Sequence, residues 1–146
     1  MIAGLHIRGM LFAAGLFLPL SVEAQMTETS PFSTVLSAWN EPDETVRRAL
    51  IDDALSVDFT YDDVHRNAPL TSRVAFEDFL TQFRANVSGI TVRLDGPPEV
   101  LRGTARFRFI MERDGAPFSR GTYFATLDED GKINRMIGFM DQEPSR

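Results

Sequence analysis

The sequence predicts an α+β fold in which three N-terminal helices pack on a strongly curved antiparallel sheet. Two observations lead to this prediction. In the first part of the chain apolar residues mostly recur with the period of helices, whereas from Thr91 onward they alternate with polar residues as in strands. Asp114-Gly115 and Asp130-Gly131 separate the long alternating segments, and Asp-Gly pairs are typical of tight hairpins. Helices followed by an antiparallel meander indicate helices that cover one face of a sheet.

The three helical segments begin at capping signals. Ser30-Pro31 predicts the start of a short helix that runs through Trp39, because serine caps a helix and proline fits its first turn. Asn40-Glu-Pro-Asp43 predicts the start of a second helix. Ser72 predicts the start of a third, which Ser88-Gly89 ends.

The strands are predicted from alternation and from turn residues. Residues 56–61 alternate between apolar and polar and predict a half-buried strand between the second and third helices. After the third helix we expect a strand at 91–94, a turn at Gly96-Pro-Pro98, and long strands at 105–112, 117–127 and 132–141.

A two-residue turn at Asp114-Gly115 would set which side chains share a face of the sheet. One face would then carry Phe107, Phe109, Met111, Phe118, Arg120, Thr122, Phe124, Ile137, Phe139 and Asp141. Because so many rings would aggregate in water, we expect the helices to cover this face and Phe59 and Tyr61 to join it. Arg120 and Asp141 would lie among the rings, either as an ion pair or beside a wet cavity.

The composition indicates one globular domain and excludes several kinds of site. The 146 residues carry a net charge of −6, which disfavours nucleic acid because phosphate binding needs clustered cations. The absence of cysteine excludes thiol catalysis, disulfides and cysteine-bound metals. Of the two histidines, His65 is the one outside the N-terminal segment, so we expect no metal site and no cofactor.

Residues 1–24 have the pattern of a secretory signal peptide. The apolar run from Met10 to Leu20 follows one cation, Arg8, and precedes small residues with an expected cleavage site after Ala24. A retained membrane anchor is the alternative, but about a dozen apolar residues are short for a bilayer span. We therefore expect a mature domain of residues 25–146, periplasmic or secreted, without membrane contact after cleavage.

Several short motifs follow one another between Pro31 and Asp141. They are Ala38-Trp39-Asn40, Phe59-Thr-Tyr61-Asp62, Val74-Ala-Phe-Glu-Asp-Phe-Leu80 with Phe83-Arg84, Gly121-Thr-Tyr-Phe124, Leu127-Asp-Glu-Asp-Gly-Lys-Ile133 and Gly138-Phe-Met-Asp141. In this order and spacing they resemble the SnoaL-like branch of the nuclear transport factor 2-like superfamily. The resemblance implies a cone of helices wrapped by a bent sheet, an internal apolar pocket and frequently a homodimer formed through the outer sheet face. Members include isomerases, polyketide cyclases and dehydratases, and also domains without a known reaction.

The candidate catalytic residues are Asp141, Tyr61 and His65. The resemblance implies that Asp141 acts as acid or base, and burial in an apolar pocket would raise the pKa of its carboxyl group. Tyr61 or Arg120 would stabilise negative charge, and His65 would shuttle protons. The substrate-binding wall would consist of Trp39, Phe59, Phe107, Phe109, Phe118, Arg120 and Phe139.

Two functions follow from these expectations. The first is an exported domain that binds a small hydrophobic molecule and acts on it by proton transfer next to a carbonyl, as an isomerase, cyclase or dehydratase. The alternative is a non-catalytic ligand-binding or dimerisation module of the bacterial envelope. Asp141 separates the two, since a carboxylate in a cavity favours the enzyme and a tight pair with Arg120 in a filled core favours the module.

Overall fold

A computed structural model describes residues 30–141 of the chain. These residues form helices α1 (Pro31–Asn40), α2 (Glu44–Ala54) and α3 (Arg73–Asn86), and strands β1 (Leu55–Asp63), β2 (Ile90–Leu94), β3 (Glu99–Leu101), β4 (Thr104–Arg113), β5 (Ala116–Leu127) and β6 (Ile133–Met140). The expected signal peptide, residues 1–24, lies outside the described residues. Within 30–141 no helix has both the length and the apolar character needed to cross a membrane.

The helices begin at side chains that cap their first turn. Ser30 accepts a hydrogen bond from the backbone N–H of Ser33 at 3.2 Å, and Ser72 accepts one from that of Ala75 at 3.1 Å. Asp43, the last residue of the Asn40-Glu-Pro-Asp43 signal, caps α2. The three predicted helix starts are therefore confirmed.

The strands form one strongly curled sheet that wraps around the helices. Its order is β1-β6-β5-β4-β2, and the short β3 also pairs with β4. β1 runs parallel to β6, whereas the other pairs are antiparallel. A parallel pair needs a long connection, and residues 64–132 lie between β1 and β6. The α+β class and the curvature are confirmed, with a mixed sheet in place of a wholly antiparallel one.

The concave face of the sheet and the helices enclose an aromatic core. Phe59 and Tyr61 of β1 are buried there, as the alternation predicts. Phe76 of α3 packs against both, with ring centroids 5.2 Å from Phe59 and 5.0 Å from Tyr61. Phe107 of β4 packs on Phe32 of α1 at 4.8 Å. Ring contacts therefore hold the helices to the sheet.

The hairpin between β4 and β5 has the predicted turn but not the predicted register. Arg113 pairs with Ala116 across the turn. Farther along, Met111 pairs with Ser119, because Phe118 is inserted without a partner on β4. One inserted residue is a β-bulge, and it turns the following side chains of that strand to the opposite face.

The bulge reverses the predicted faces of β5 and β6. Phe107 and Phe109 of β4 point inward as predicted. The inward residues of the next two strands, however, are Gly121, Tyr123, Ala125, Met136, Gly138 and Met140. The outward residues are Arg120, Thr122, Phe124, Ile137 and Phe139, and Asp141 is exposed just after β6. The predicted inner face was therefore wrong for these two strands.

Candidate functional site

A cavity of about 450 Å³ lies between the concave face of the sheet and helices α1 and α3. Its apolar lining consists of Trp39, Tyr61, Phe79, Phe83, Val87, Val92, Phe109, Met111, Phe118, Tyr123, Gly138 and Met140. The polar lining residues are Asp63, His65, Arg66, Arg113 and Ser119. This size and composition are those of small-molecule sites in proteins, where apolar walls carry a few polar groups.

Two stacked rings on the sheet form the floor of the cavity. Phe109 and Tyr123 lie 4.5 Å apart with an interplanar angle of 27°. Each ring lies opposite a glycine of the next strand, Phe109 opposite Gly121 and Tyr123 opposite Gly138. A Cβ atom would stand 2.4 Å from Phe109 Cζ at Gly121 and 2.7 Å from Tyr123 Cε1 at Gly138. The two glycines therefore make the room in which the rings lie flat on the sheet.

Trp39, at the end of α1, forms part of the opposite wall. Its ring meets those of Phe79 and Phe83 of α3 edge-on, at centroid distances of 5.6 and 5.1 Å. The guanidinium of Arg84 donates to the backbone oxygen of Trp39 at 3.0 Å and so ties α3 to this wall. Because Trp39 is the single tryptophan of the sequence, its fluorescence reports directly on this cavity.

A carboxylate and two phenols meet at one corner of the cavity. The Tyr61 hydroxyl donates to Asp63 Oδ2 at 2.8 Å, and the His65 backbone N–H donates to Asp63 Oδ1 at 2.7 Å. The Tyr123 ring lies 6.3 Å from that of Tyr61. Gly138 pairs with Asp63 across β1 and β6, and its missing side chain lets Asp63 and Tyr123 approach it from two sides.

Among residues 30–141, Asp63 is the one carboxylate that lines the cavity. Two donors hold its oxygens, so the carboxylate has a defined orientation at the apolar wall. In residues 30–141 no three His, Asp or Glu side chains are arranged to hold a metal ion. The carboxylate and the phenols at this corner can form hydrogen bonds and transfer protons.

Burial raises the pKa of both phenols in the cavity. For Tyr61 burial raises the pKa well above its ordinary value, and the neighbouring Tyr123 and Asp63 raise it further. For Tyr123 burial is again the main cause of a raised pKa. Both hydroxyls thus stay protonated at neutral pH and can act as hydrogen-bond donors.

We expect the folded protein to resist ionisation of its tyrosines. Tyr61 and Tyr123 are the two tyrosines of the sequence, so tyrosinate absorbance in the near ultraviolet reports on this corner alone. A pKa raised in the folded state means that stability is full below the unfolded value of about 10 and falls as the pH rises towards the folded value. Tyrosinate should therefore appear together with alkaline unfolding.

The control for this titration is the protein in urea, where both phenols should ionise at about pH 10. Circular dichroism recorded at each pH shows whether the chain is still folded. Tyrosinate formation at about pH 10 in a chain that keeps its native spectrum would contradict the burial of these hydroxyls.

The structure brings half of the sequence-predicted site residues together around the cavity. Those that line it are Trp39, Tyr61, His65, Phe109 and Phe118. Phe59 and Phe107 are buried in the core beside the cavity and do not line it. Arg120, Phe139 and Asp141 do not line the cavity, because the bulge at Phe118 places these positions on the outer face of the sheet.

The predicted partnership of Arg120 and Asp141 needs correction. Among residues 30–141, the carboxylate that pairs with the Arg120 guanidinium is that of Asp95, at 3.7 Å. Asp141 meets Arg120 only through the backbone, where its N–H donates to the Arg120 oxygen at 2.9 Å. Phe139 is 49% exposed and packs edge-on against Phe124 on the outer face. Neither the internal ion pair nor the wet cavity beside Asp141 is formed.

Sequence reasoning missed Asp63, Tyr123, Arg66 and Arg113 as cavity residues. It assigned no functional role to Asp63, although the Tyr-x-Asp spacing on β1 places Asp63 on the face of Tyr61. That spacing is the signal that could have found it. The inward position of Tyr123 depends on the bulge and has no comparable signal.

Comparisons with known proteins agree with this architecture. The sequence matches no protein-family model and no curated protein. A proposed isomerase of the SnoaL-like family from Agrobacterium tumefaciens str. C58 is 27% identical, with a TM-score of 0.68 over 75% of this chain and 92% of that one. An NTF2-like protein of unknown function from Exiguobacterium sp. 255-15 is 23% identical, with a TM-score of 0.59 over 77% and 97%. A proposed polyketide cyclase from Sinorhizobium meliloti is 16% identical, with a TM-score of 0.53 over 71% and 92%.

The similarity extends over nearly the whole length of each of these proteins. At 23% and 16% identity, the Exiguobacterium and Sinorhizobium proteins show a shared fold alone. The Agrobacterium protein has a higher identity to this chain and is itself described as SnoaL-like. The resemblance inferred from the motifs is confirmed, and the fold is one that isomerase-like and cyclase-like proteins share. The chain has the nuclear transport factor 2-like fold and is similar to SnoaL-like domains.

Proposed function

We propose that this chain binds a small, mainly apolar carbonyl compound in the cavity and catalyses proton transfer at the carbon next to that carbonyl. The reaction is of the isomerase or lyase type. The observation that carries the proposal is the corner at which the Asp63 carboxylate meets the hydroxyl of Tyr61 at 2.8 Å, beside the buried Tyr123, on the wall of an aromatic cavity.

Each group at this corner has a role in such a transfer. Asp63 takes the proton from carbon while the Tyr61 hydroxyl donates its hydrogen bond to this carboxylate, and Tyr123 donates a hydrogen bond to the carbonyl oxygen as negative charge develops on it. Asp63 then returns the proton to a second carbon, or a leaving group departs from the neighbouring carbon. A carboxylate that both accepts and returns the proton needs no organic cofactor.

A second function is favoured by the local role of Asp63. Its carboxylate accepts from the His65 N–H at 2.7 Å and its backbone oxygen accepts from the Arg66 N–H at 3.1 Å, so Asp63 also shapes the turn after β1. In a non-catalytic binding module this would be its whole contribution. Such a module would take up the same apolar molecules without changing them.

Deuterium exchange distinguishes the enzyme from the module without knowledge of the natural substrate. The purified protein is incubated in heavy water with a panel of cyclic ketones, and deuterium uptake next to the carbonyl is followed by nuclear magnetic resonance. Accelerated exchange of a ketone that also quenches Trp39 fluorescence supports catalysis. Binding of these ketones with exchange no faster than in buffer favours the module.

We also propose that the chain forms a homodimer through the outer face of the sheet. Phe124 and Phe139 stand on this face 44% and 49% exposed, with ring centroids 5.9 Å apart. Ile137 lies beside Phe124 in the register of β5 and β6. Exposed ring pairs on a sheet surface are typical of protein interfaces.

Export is the remaining part of the proposal, and it predicts the mass of the mature chain. Expression with residues 1–24 in a bacterial host should yield a periplasmic protein of 122 residues that begins at Gln25. Native mass spectrometry measures this mass and, in the same spectrum, the number of subunits. A membrane-bound protein that retains residues 1–24 would contradict cleavage, and a monomeric mature chain would contradict the dimer.

A further inference from the structure

The rim of the cavity carries positive charge, although the protein as a whole is acidic. In the part of the chain that the structure describes, the lining contains two guanidinium groups, Arg66 and Arg113, and one carboxylate, Asp63. The net charge of the sequence is −6. A local excess of cations in an acidic chain is the kind of feature that selects a ligand by charge.

The two arginines lie at the open end of the cavity. Arg113 and its neighbour Phe118 are exposed, whereas Tyr61, Phe109 and Tyr123 on the inner walls are buried. Arg66 comes from the loop after β1, and Arg113 from the hairpin between β4 and β5. The loop after β1 and the end of β4 therefore bring cations to one opening.

Aromatic rings of the cavity wall position both guanidinium groups. Arg66 Cζ lies 5.1 Å from the centroid of the Phe79 ring, and Arg113 Cζ lies 4.8 Å from that of Phe118. Phe79 and Phe118 are themselves lining residues. The stacking holds the charges next to the apolar surface on which a ligand would rest.

Neither guanidinium is neutralised by a carboxylate of the described chain. No carboxylate oxygen of residues 30–141 lies within 4.0 Å of a guanidinium nitrogen of Arg66 or Arg113. Arg66 Nε donates to the backbone oxygen of Ala68 at 3.2 Å, which leaves its terminal nitrogens for other acceptors. Glu112, next to Arg113 in sequence, is paired with Arg93 at 2.7 Å.

We propose that Arg66 and Arg113 bind an anionic group of the ligand, so that the molecule taken up is an amphipathic carboxylate. Its apolar body lies in the aromatic cavity and its carboxylate lies at the rim, where guanidinium groups form charge-assisted hydrogen bonds. His65, also at the rim, adds an imidazole donor or acceptor. This inference rests on the proposed function, because it requires that the cavity binds a small apolar molecule.

A pair of probes that differ in charge alone tests the inference. The probes are 4-cyclohexylbutanoate and 4-cyclohexylbutan-1-ol, which have the same apolar body and absorb no light where tryptophan is excited. A body of about ten carbon atoms suits a cavity of this size. The change in Trp39 fluorescence gives the Kd of each probe at low and at high ionic strength.

We expect the carboxylate to bind about tenfold more tightly than the alcohol at low salt, with the preference reduced at high salt. The double variant Arg66→Gln/Arg113→Gln should bind both probes equally well. Arg113→Lys keeps the charge and should retain part of the preference. Arg108→Gln is the matched control, since Arg108 is exposed on the outer face of β4 and does not line the cavity.

The outcomes separate this inference from the function on which it rests. Equal binding of the two probes by the unaltered protein would overturn the anionic ligand and leave an apolar binding site in place. Loss of the preference in Arg108→Gln, to the same extent as in the double variant, would also overturn it, since overall charge would then be the cause. Binding of neither probe would overturn the proposed function itself, and the inference with it.

Discussion

An Asp63→Asn variant is expected to lose proton transfer by about a hundredfold or more while still binding apolar ligands. The amide cannot accept a proton from carbon at neutral pH, so the base is removed without a change of shape. The cost to folding should be small. One of the two hydrogen bonds to the carboxylate, from the Tyr61 hydroxyl or the His65 N–H, is lost, at about 1 kcal/mol.

Two asparagine variants serve as controls for this experiment. Asp62→Asn removes the neighbouring carboxylate, which does not line the cavity, and should leave the exchange rate unchanged. Asp141→Asn tests the residue that the sequence alone selected as the base. Ketone exchange that is lost in Asp141→Asn and retained in Asp63→Asn would refute the role proposed for Asp63. Trp39 fluorescence with the same ketone shows that each variant still binds.

The largest expected effect on stability is that of Gly121→Ala, which should destabilise the fold by about 3 kcal/mol. The new Cβ atom would stand 2.4 Å from both Phe109 Cζ and the backbone oxygen of Phe139. The backbone oxygen cannot turn away as a flexible side chain can. Either β6 or the Phe109 ring must move, and the aromatic floor of the cavity moves with them. We expect the Tm to fall by about 10 °C.

Gly115→Ala is the comparison for this substitution. Gly115 lies at the hairpin tip, where an added Cβ atom has nothing within 4 Å, and its φ of +80° adds only backbone strain. This strain should cost about 1 kcal/mol. Equal losses of Tm in the two variants would show that crowding at Gly121 does not limit the fold. Thermal unfolding followed by circular dichroism measures both.

The local signals of the sequence were sufficient for most of the elements. Ser30, Asp43 and Ser72 cap the helices because a side-chain oxygen satisfies an N–H that the helix itself leaves free. The Asp114-Gly115 turn forms because both residues adopt a positive φ, of 51° and 80°. Interactions of this kind involve neighbours in sequence, which is why they could be predicted.

The candidate site could be predicted only in part. Trp39, Tyr61 and Phe109 lie on elements whose faces follow directly from their periodicity, and all three line the cavity. Arg120, Phe139 and Asp141 were assigned to the inner face by counting from the hairpin, and that count fails at the bulge. A β-bulge depends on how rings pack across neighbouring strands, and no local sequence pattern predicts it.

The sequence by itself determined the class of the fold, the starts of the helices and the hairpin turn, because caps, alternation and turn residues act over a few neighbouring residues. The order and spacing of its motifs indicated the resemblance to the nuclear transport factor 2-like superfamily. Only the tertiary structure decided which carboxylate faces the cavity. The insertion of Phe118 turns Tyr123 inward and Arg120 outward, and the bare backbone of Gly138 lets Asp63 and Tyr123 meet beside Tyr61. These contacts join β1 to β5 and β6, which lie far from it in sequence, so their packing and not their local pattern sets the chemistry of the cavity.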